Sequence, residues 1–376
     1  MKTKKIVFLA EVAAIAVIML ASCGHGDTKD QCALPNTYGF KSFPTSFSLN
    51  SPEIVDLHLP AVSYIQVFDS VLFVFSPDPQ GAIAGFTLPS CTKLGQFMKK
   101  GNGPGEYLFQ PHELFCMKED GIMKGILYLK GRGTALTLDL DASFRSAIPV
   151  ILSEEKITDS DNGLIMIPLS SSLFMGIQRS DDQTQMLRFL IDDGNRFCPT
   201  PMEYLNASRV YEANTGFDFN VLLTNPAYHP GLHRIAETSY VLNTVHVYDV
   251  SPSGKVMNTS YYGPKISSIR DVETTFKPQN LGNRRLEYLV TRSYDSFFAA
   301  LYQGATEMEI ESGRMPMPSI HFFDWNGFPR LELKLSVNAT SFDIDMVHGD
   351  LYVREASEGA VYRYPIAPYL SSLEFN

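Results

Sequence analysis

The sequence is poor in charge, in tryptophan and in cysteine. Asp, Glu, Lys and Arg together make up only 19% of the 376 residues, there is one Trp, and there are five Cys. The formal net charge is −10, so the chain lacks the basic surface of a nucleic-acid binder, and nucleic acid is not an expected partner. Charge alone is also not expected to hold the chain on anionic lipid.

The cysteines do not form the pattern of a structural zinc site. No Cys-x-x-Cys pair is present, and there is no cluster of several cysteines and histidines. If Cys23 carries lipid, four cysteines remain, which are Cys32, Cys91, Cys116 and Cys198. An oxidising compartment would permit disulfides between them, while buried thiols are the alternative, and their spacing follows no disulfide framework.

Long stretches of helical periodicity are also missing. Short runs rich in β-formers alternate with turn residues instead, as in Val71–Phe75, Ile126–Leu129 and Val245–Tyr248. Such runs bounded by turns indicate strands, and the aromatic content of 12% favours strands over helices. The sequence therefore predicts an all-β protein.

The strand-and-turn elements recur along the chain. Asp139, Asp192, Asp249 and Asp324 mark similar elements, and they are 53, 57 and 75 residues apart. A unit of about 50 residues with four short strands is typical of a propeller blade. The long third interval predicts an insertion of about 20 residues near 264–286, a stretch with few apolar runs.

We therefore predict a six-bladed β-propeller with four-stranded antiparallel blades in residues 44–376. Residues 44–59 are expected to supply a strand that closes the ring onto the last blade, since closure protects strand edges. The alternative is a β-sandwich or jelly roll with a second domain. The expected blades are 60–100, 109–153, 162–204, 228–263, 286–335 and 338–370.

The N-terminus has the layout of a secretory signal in residues 1–22. Lys2, Lys4 and Lys5 precede the apolar run 6–20, which is short for a membrane span. Leu20-Ala21-Ser22-Cys23 resembles the lipobox of bacterial lipoproteins, in which the peptide is cut before a cysteine that carries the lipid. We therefore expect Cys23 to be the lipid attachment site and the membrane to be a partner through that lipid.

Residues 23–43 read as a tether between the lipid and the propeller. They combine Gly24, Gly26, Pro35 and Gly39 with charged residues of both signs. Such a composition is typical of a flexible linker. It does not distinguish the inner membrane from the outer membrane.

Two segments resemble a known family. Gly101-Asn102-Gly103-Pro104-Gly105-Glu106-Tyr107 and Phe322-Phe323-Asp324-Trp325-Asn326-Gly327-Phe328-Pro329 are similar to recurring segments of the TolB-like six-bladed β-propeller lipoproteins of Gram-negative bacteria. The resemblance implies the propeller fold and a place in the Gram-negative envelope, on the periplasmic or surface side of the outer membrane. It implies no catalytic residues and no cofactor. Pro104 and Gly105 suit the centre of a type II turn.

Several patterns suggest a metal or anion site, and each also has a simpler structural interpretation. His229 and His233 have the spacing of a helical metal pair, but Pro230 and Gly231 between them favour a turn. The acidic residues that suggest calcium are Asp159, Asp161, Asp343, Asp345 and Asp350. They lack the glycine of an EF-hand loop, and solvated strand ends explain them as well. The basic residues that suggest an anion site are Arg270, Arg284, Arg285 and Arg292. A solvated face of the insertion is the alternative.

Two functions remain open at this stage. The first is a binding or scaffold module for an unknown protein, peptide or glycan, since a propeller offers a broad face built of loops. The second is a propeller enzyme, a lyase or hydrolase acting on a glycan or peptide, whose site would combine single residues from several blades. No catalytic residue, metal ligand or cofactor is predicted. Residues able to face a site are Glu106, Tyr107, Arg270, Arg284, Arg285 and Tyr294.

Overall fold

Short strands account for more than half of the residues that the structure describes. The computed structural model describes residues 42–157, 165–170, 172–180, 186–192, 194–198, 202, 223–251, 256–263 and 284–373. In chain order the strands in these ranges are β1 (Thr45–Ser48), β2 (Glu53–Val55), β3 (Tyr64–Phe68), β4 (Val71–Phe75), β5 (Ile83–Thr87), β6 (Thr92–Phe97), β7 (Phe115–Glu119), β8 (Ile122–Leu129), β9 (Thr134–Asp139), β10 (Val150–Lys156), β11 (Ile165–Pro168), β12 (Leu173–Arg179), β13 (Met186–Asp192), β14 (Asn195–Phe197), β15 (Thr224–His229), β16 (Arg234–Ser239), β17 (Val245–Val250), β18 (Val256–Tyr262), β19 (Arg285–Ser293), β20 (Phe297–Thr306), β21 (Ser319–Asp324), β22 (Pro329–Lys334), β23 (Ala339–Asp345), β24 (Asp350–Glu355) and β25 (Val361–Pro365). The helices whose bounds fall in these ranges are α1 (Leu140–Ser146), α2 (Glu307–Glu311) and α3 (Ala367–Leu370).

The strands form six sheets that follow one another along the chain. Blades 1 to 5 are β3–β6, β7–β10, β11–β14, β15–β18 and β19–β22, and blade 6 combines β23–β25 with β2. The first strand of each blade lies at one edge of its sheet, and these first strands pack against each other, as β3 does on β23 and β19 on both β15 and β23. They surround the central channel. The predicted six-bladed propeller with four-stranded antiparallel blades is confirmed.

Both faces of a blade are covered by its neighbours. In β20, Phe297 and Ala299 join the apolar cluster between blades 5 and 6, whereas Phe298 and Ala300 join the cluster between blades 4 and 5. Successive side chains of a strand point to opposite faces, so a strand buried on both faces reads as an unbroken apolar run. Each of the six seams between blades contains such a cluster. These clusters form the core.

The N-terminal segment closes the ring. β2 pairs antiparallel with β25, the last strand of blade 6, with Glu53 opposite Arg363 and Val55 opposite Val361. The expected closing strand within 44–59 is therefore confirmed. β2 then leads directly into β3 of blade 1, so blade 6 combines strands from both ends of the chain. This arrangement removes the open edges that an unclosed ring of blades would expose.

The strand β1 was not expected from the sequence. It runs parallel to β22 as a fifth strand on the outer edge of blade 5, with Thr45 opposite Leu331. The Ser46 hydroxyl donates a 2.7 Å hydrogen bond to Glu332, and the Leu49 amide donates to the carbonyl of Lys334. Its pairing depends largely on backbone groups, which leave little pattern in a polar sequence.

The expected blade ranges match the six sheets, with differences at two borders. Blade 2 extends to Lys156, and blade 4 begins at Thr224, ahead of the expected 228. Pro226 made the start of β15 hard to recognise in the sequence, because proline is rare within strands. It is tolerated here because the innermost strand of a blade is an edge strand. Of the expected insertion at 264–286, residues 264–283 lie outside the described part of the chain, and β19 begins at Arg285.

A helix follows β9 where an acidic turn was expected. The Asp139 carboxylate accepts a 2.8 Å hydrogen bond from the amide of Ala142 and so caps the N-terminus of α1. Phe144 of this helix packs on Phe73 and Phe97 of blade 1. Within the described ranges, none of the helices is long and apolar enough to cross a membrane.

Candidate functional site at the central channel

The two ends of the channel are built from different connections. At the top end, the innermost strands begin and the second strand of each blade leads to the third. At the bottom end, tight turns join the first strand to the second, and further connections join the third to the fourth. This follows from the antiparallel order within every blade.

The glycine-rich segment 101–107 lies at the top end, between blades 1 and 2. Gly105 has a φ of 69°, and the amide of Glu106 donates to the carbonyl of Gly103, which confirms the expected turn. The Glu106 carboxylate folds back and accepts a 2.6 Å hydrogen bond from the amide of Gly103. Tyr107 is buried in the core between blades 1 and 2. Neither Glu106 nor Tyr107 faces the channel, so this segment joins two blades.

The second segment, 322–329, forms the connection between the third and fourth strands of blade 5 at the bottom end. Asp324 accepts 2.9 Å hydrogen bonds from the amides of Asn326 and Phe328, and Gly327 has a φ of 82°. The indole of Trp325 donates to the carbonyl of Tyr294 at 2.9 Å. This segment also has a structural role.

The arginines of the expected basic cluster go to separate places. Arg284 pairs with Glu307 at the top end, and Arg285 donates to the carbonyl of Gly304. Arg292 lies seven positions further along β19, is buried, and contacts other groups. Arg270 lies outside the described residues.

The two histidines lie at a turn, as their spacing around Pro230 predicts. His229 ends β15, and its Nε2 lies 2.9 Å from the carbonyl oxygen of Asp295. His233 precedes β16, and its Nδ1 lies 3.0 Å from the hydroxyl of Tyr228. Their partners differ, and the structure does not bring the two rings to a common point.

The carboxylates considered for calcium also have separate partners. Asp345 lies 2.5 Å from Nδ1 of His348, while Asp350 pairs with Arg363. Asp343 belongs to the channel network described below. Asp159 and Asp161 lie outside the described residues, and within the described ones no three His, Cys, Asp or Glu side chains converge on a point that could hold a metal.

Arg292 connects four blades at the inner edge of the ring. From β19 of blade 5, its guanidinium donates to the carbonyl of Ile65 in blade 1 at 3.1 Å and to that of Phe342 in blade 6 at 3.3 Å. It also lies 3.3 Å from the carboxylate of Glu113, which precedes blade 2, and 3.5 Å from that of Asp343. One side chain thus gathers groups that are far apart in the sequence.

Asp343 is held by several donors. Its Oδ1 accepts a 2.6 Å hydrogen bond from the hydroxyl of Tyr294, and its Oδ2 accepts a 2.8 Å bond from the amide of Val67. The amide of Ile344 donates to it as well. Burial raises the pKa of Asp343, against the opposing effect of Arg292. Both oxygens are engaged, so Asp343 serves as an anchor for the ring, and Tyr294 is a partly buried partner of it.

His112, Glu113 and Cys116 lie at the inner edge of blade 2 and are each partly exposed. The side chain of Glu113 is 35% exposed, and burial raises its pKa, with Arg292 opposing that effect. Burial, with Lys130 nearby, lowers the pKa of His112 to about 4. Burial also raises the pKa of the Cys116 thiol, with Asp343 acting in the same direction.

Two aromatic side chains extend this group at the top end. The ring of Tyr64, at the start of β3, lies 5.4 Å from the ring of His112, and Tyr64 is exposed. Tyr240 follows β16, in the connection between the second and third strands of blade 4, at the same end of the propeller as Tyr64. We use the name channel mouth for Tyr64, His112, Glu113, Lys130 and Tyr240.

The chemistry available here favours hydrogen bonding and stacking. His112 is neutral at ordinary pH, the Cys116 thiol is not activated to a thiolate, and the carboxylates of Glu113 and Asp343 are both paired with Arg292. Sequence inspection missed the channel mouth because these residues match no motif. Their positions gave little signal: His112 and Glu113 stand just before the first strand of blade 2 and Tyr64 begins that of blade 1, whereas Lys130 and Tyr240 follow the second strands of their blades.

A separate carboxyl is enclosed within blade 5. Glu287 on β19 is buried, and its Oε2 has no hydrogen-bond partner within the described residues. Burial raises its pKa to about 7, although the hydroxyl of Tyr302 and the charge of Arg285 oppose that effect. Tyr302 in turn stacks on His321 at 4.5 Å.

The described cysteines are not joined to one another. Cys91, Cys116 and Cys198 lie in blades 1, 2 and 3 and none of them forms a disulfide. The sequence left open either disulfides or thiols, and these three cysteines are thiols. Cys32 lies outside the described residues, as does Cys23.

Comparison with known proteins supports the fold. No protein-family profile matches the chain, and no curated protein matches it. A protein from Bacteroides fragilis, provisionally named as exported, is similar in structure with a TM-score of 0.51 at 11% identity, over 85% of this chain and 98% of that one. Regucalcin from Agrobacterium tumefaciens, a calcium-binding protein, has a TM-score of 0.48 at 11% identity, over 86% of this chain and 96% of that one. At such identities the likeness shows the fold alone, a six-bladed β-propeller.

Proposed function

We propose that this chain is a lipid-anchored protein of the Gram-negative cell envelope whose propeller is a binding module. The lipid is attached at Cys23, and the ligand is a protein, peptide or glycan that binds at the channel mouth. We place the anchor in the outer membrane, on its periplasmic or surface side. The two turn segments resemble those of the TolB-like lipoproteins, which supports this fold and location, and a propeller enzyme acting on a glycan or peptide is the alternative.

One observation carries the binding role. Polar and aromatic groups converge at the channel mouth, while the carboxylates of Glu113 in the mouth and of Asp343 beneath it are already paired with Arg292. An enzyme of the lyase or hydrolase class needs a base or nucleophile poised for proton transfer. A neutral imidazole beside an exposed tyrosine ring suits the recognition of a sugar ring or a peptide by stacking and hydrogen bonding.

The anchor is tested in cells. Wild-type protein should incorporate labelled palmitate and sediment with membranes, because Leu20-Ala21-Ser22-Cys23 matches the order required for processing and lipid attachment. Cys23→Ser should remain unlabelled and appear in the soluble fraction. Absence of label from the wild-type protein would overturn the anchor.

The binding role is tested with detergent-solubilised full-length protein on panels of envelope glycans and peptides. The wild type should retain one class of these probes without converting it. Tyr64→Ala with His112→Ala should lower the affinity about tenfold, since the loss of a central aromatic contact costs on the order of 1–2 kcal/mol.

A matched control comes from the opposite end of the propeller. Phe328 is exposed at the bottom end, far from the channel mouth in the topology, so Phe328→Ala should leave the affinity unchanged. Turnover of a glycan or peptide with no retained ligand would overturn the proposal in favour of an enzyme. Equal loss of affinity in both variants would show that the ligand binds elsewhere.

A further inference from the structure

The chain enters the propeller at the bottom end. β1 is parallel to β22, so the residues before Thr45 extend toward Pro329, where β22 begins. The ring of Phe43 lies 4.3 Å from that of His321 and 5.5 Å from that of Phe323, which confirms this direction. The described chain therefore begins beside the turn that contains Trp325 and Phe328.

Exposed apolar side chains surround that point. Leu232 lies in the first turn of blade 4, Phe328 in the last turn of blade 5, and Met346 and Val347 in the first turn of blade 6. Phe328 is 53% exposed and Val347 is 69% exposed. These turns belong to three neighbouring blades and all lie at the bottom end.

Hydrogen bonds within the turns fix the backbone at two of these positions, and the ring of Phe328 also lies 5.9 Å from that of Tyr262. The Asp345 carboxylate accepts a 3.0 Å hydrogen bond from the amide of Val347, and the Asp324 carboxylate accepts a 2.9 Å bond from the amide of Phe328. Apolar side chains are exposed at the top end as well, including Phe109. Exposure alone therefore does not distinguish the ends, but the position at which the chain enters does.

We propose that the bottom end, at blades 4 to 6, rests on the lipid bilayer and that the channel mouth faces away from it. This inference rests on the proposed lipid anchor at Cys23. Only residues 24–41 separate the anchor from the described chain, and 18 residues span at most about 60 Å when fully extended. The anchor thus holds the bottom end near the bilayer at high effective concentration, at which weak apolar contacts become occupied.

The lipid that this surface suits is zwitterionic. The chain is acidic, with a net charge of −10, and at the bottom end Arg234 and Arg330 are already paired with Asp249 and Asp324. Charge attraction to anionic headgroups is therefore not what holds it. The contact consists of apolar side chains placed at the level of the headgroups.

The single tryptophan is a natural reporter of this contact. Trp325 lies in the bottom turn of blade 5, three residues before Phe328. Full-length lipidated protein is placed on vesicles of phosphatidylcholine and phosphatidylethanolamine, with and without a nitroxide on the choline headgroup. Trp325 is itself buried but lies in the turn that bears the exposed Phe328, and interfacial side chains lie about 5–10 Å into the headgroup boundary, so the nitroxide should lower the Trp325 emission roughly twofold.

The control moves the reporter to the other end. In Trp325→Phe with Phe109→Trp, the only tryptophan stands at the top end, and the nitroxide should leave its emission nearly unchanged. Circular dichroism and thermal melts check that this variant folds. Phe328→Ser with Val347→Ser should reduce the quenching of Trp325 while the protein stays with the vesicles, because the anchor is intact.

The outcomes separate the orientation from the anchor. Equal quenching of both reporters, or stronger quenching at position 109, overturns the orientation while palmitate labelling still supports the anchor. Unlabelled wild-type protein overturns the anchor itself. A dimer of the Cys23→Ser protein that is lost with Phe328→Ser and Val347→Ser would overturn the lipid contact, because a second copy would then occupy this surface.

Discussion

Arg188 and Arg292 are both buried, yet they bind their carboxylates in different ways. Arg188 on β13 reaches from blade 3 to Glu237 on β16 of blade 4, with Nε–Oε1 at 2.8 Å and Nη2–Oε2 at 2.5 Å. Both side chains are 1% exposed, and the hydroxyl of Tyr248 also donates to Glu237. This is a bidentate pair sealed within a seam.

Arg292 makes longer contacts with more partners. Its distances to Glu113 and Asp343 are 3.3 Å and 3.5 Å, and the Glu113 side chain is still 35% exposed. The seam pair fixes one blade against the next in a single geometry. The channel arginine instead spreads its charge over groups from several blades, and water can reach one of its carboxylates. The Arg188–Glu237 pair is suited to stabilising the fold. The contacts of Arg292 permit its carboxylate partners beside the channel mouth to titrate.

Breaking the sealed pair should have the largest effect. Glu237→Gln keeps the shape of the side chain but leaves Arg188 without its anion in a dry seam, which costs about 3–5 kcal/mol of unfolding free energy. Urea denaturation measures the loss. It should be nearly the same at pH 5 and pH 8, because arginine does not titrate there.

A matched control separates this effect from that of losing any ion pair. Glu53 pairs with Arg363 on the closing strand, and its side chain is 64% exposed. Glu53→Gln should cost less than about 1 kcal/mol, as is usual for surface pairs. If the two variants lost equal stability, the contrast between sealed and exposed pairs would fail.

Removing the channel arginine should have a smaller and pH-dependent effect. Burial already raises the pKa of Glu113 and of Asp343, which means that the folded protein disfavours their ionised forms. Without Arg292 these pKa values rise further. The unfolding free energy of the variant therefore falls more than that of the wild type as the pH increases through these pKa values. Arg292→Met should cost about 2–3 kcal/mol at pH 8, where one partner of a buried pair is missing, and clearly less at pH 5.

Urea midpoints at the two pH values check this prediction. Glu237→Gln measured alongside supplies the pH-independent reference. An equal loss of stability at pH 5 and pH 8 for Arg292→Met would show that the channel carboxylates are not coupled to Arg292 as we infer.

A buried carboxyl that forms no ion pair with an arginine in the described residues should respond in the opposite sense. Glu287 is buried, and its pKa is raised from 4.5 to about 7. Its ionisation therefore opposes folding as the pH rises from about 4.5 to about 7, and the effect is absent below that window. Glu287→Gln should stabilise the protein by about 2 kcal/mol at pH 8, allowing for water that reaches the seam, and leave it unchanged near pH 4. Unfolding free energies across this pH range test it, and a loss of stability at pH 8 would contradict it.

The sequence indicated the ring but not what lies inside it. The unbroken run Val71–Phe75 in β4 follows from blades that are buried on both faces, and the spacing from Asp139 to Asp324 follows from their repeat, so six blades could be predicted. The closing strand followed from the need to remove open edges. The strand β1 did not, because Thr45–Ser48 pairs through its backbone and has no distinctive pattern.

The channel network could not be predicted from spacing. Arg292 and Glu113 are 179 positions apart and meet only because the ring brings blades 5 and 2 to a common centre. The patterns that a sequence offers are local, whereas this contact is a consequence of ring closure. Arg284 and Arg285 are adjacent to one another in the sequence and drew attention as a cluster, but they bind separate partners at the top end.

Lysine substitutions give the smallest effect and the sharpest contrast between the two arginines. Lysine keeps the charge but replaces the planar fork with a single ammonium group. Arg188→Lys loses one of the two parallel hydrogen bonds to Glu237, whereas Arg292→Lys keeps a charge near Glu113 and Asp343, to which it holds only longer single contacts. We expect Arg188→Lys to cost about 1 kcal/mol more than Arg292→Lys, which is the usual worth of one hydrogen bond. Urea midpoints at pH 7 measure both variants. A greater loss for Arg292→Lys would mean that the channel arginine, with its contacts to four blades, depends on fork geometry more than the sealed pair does.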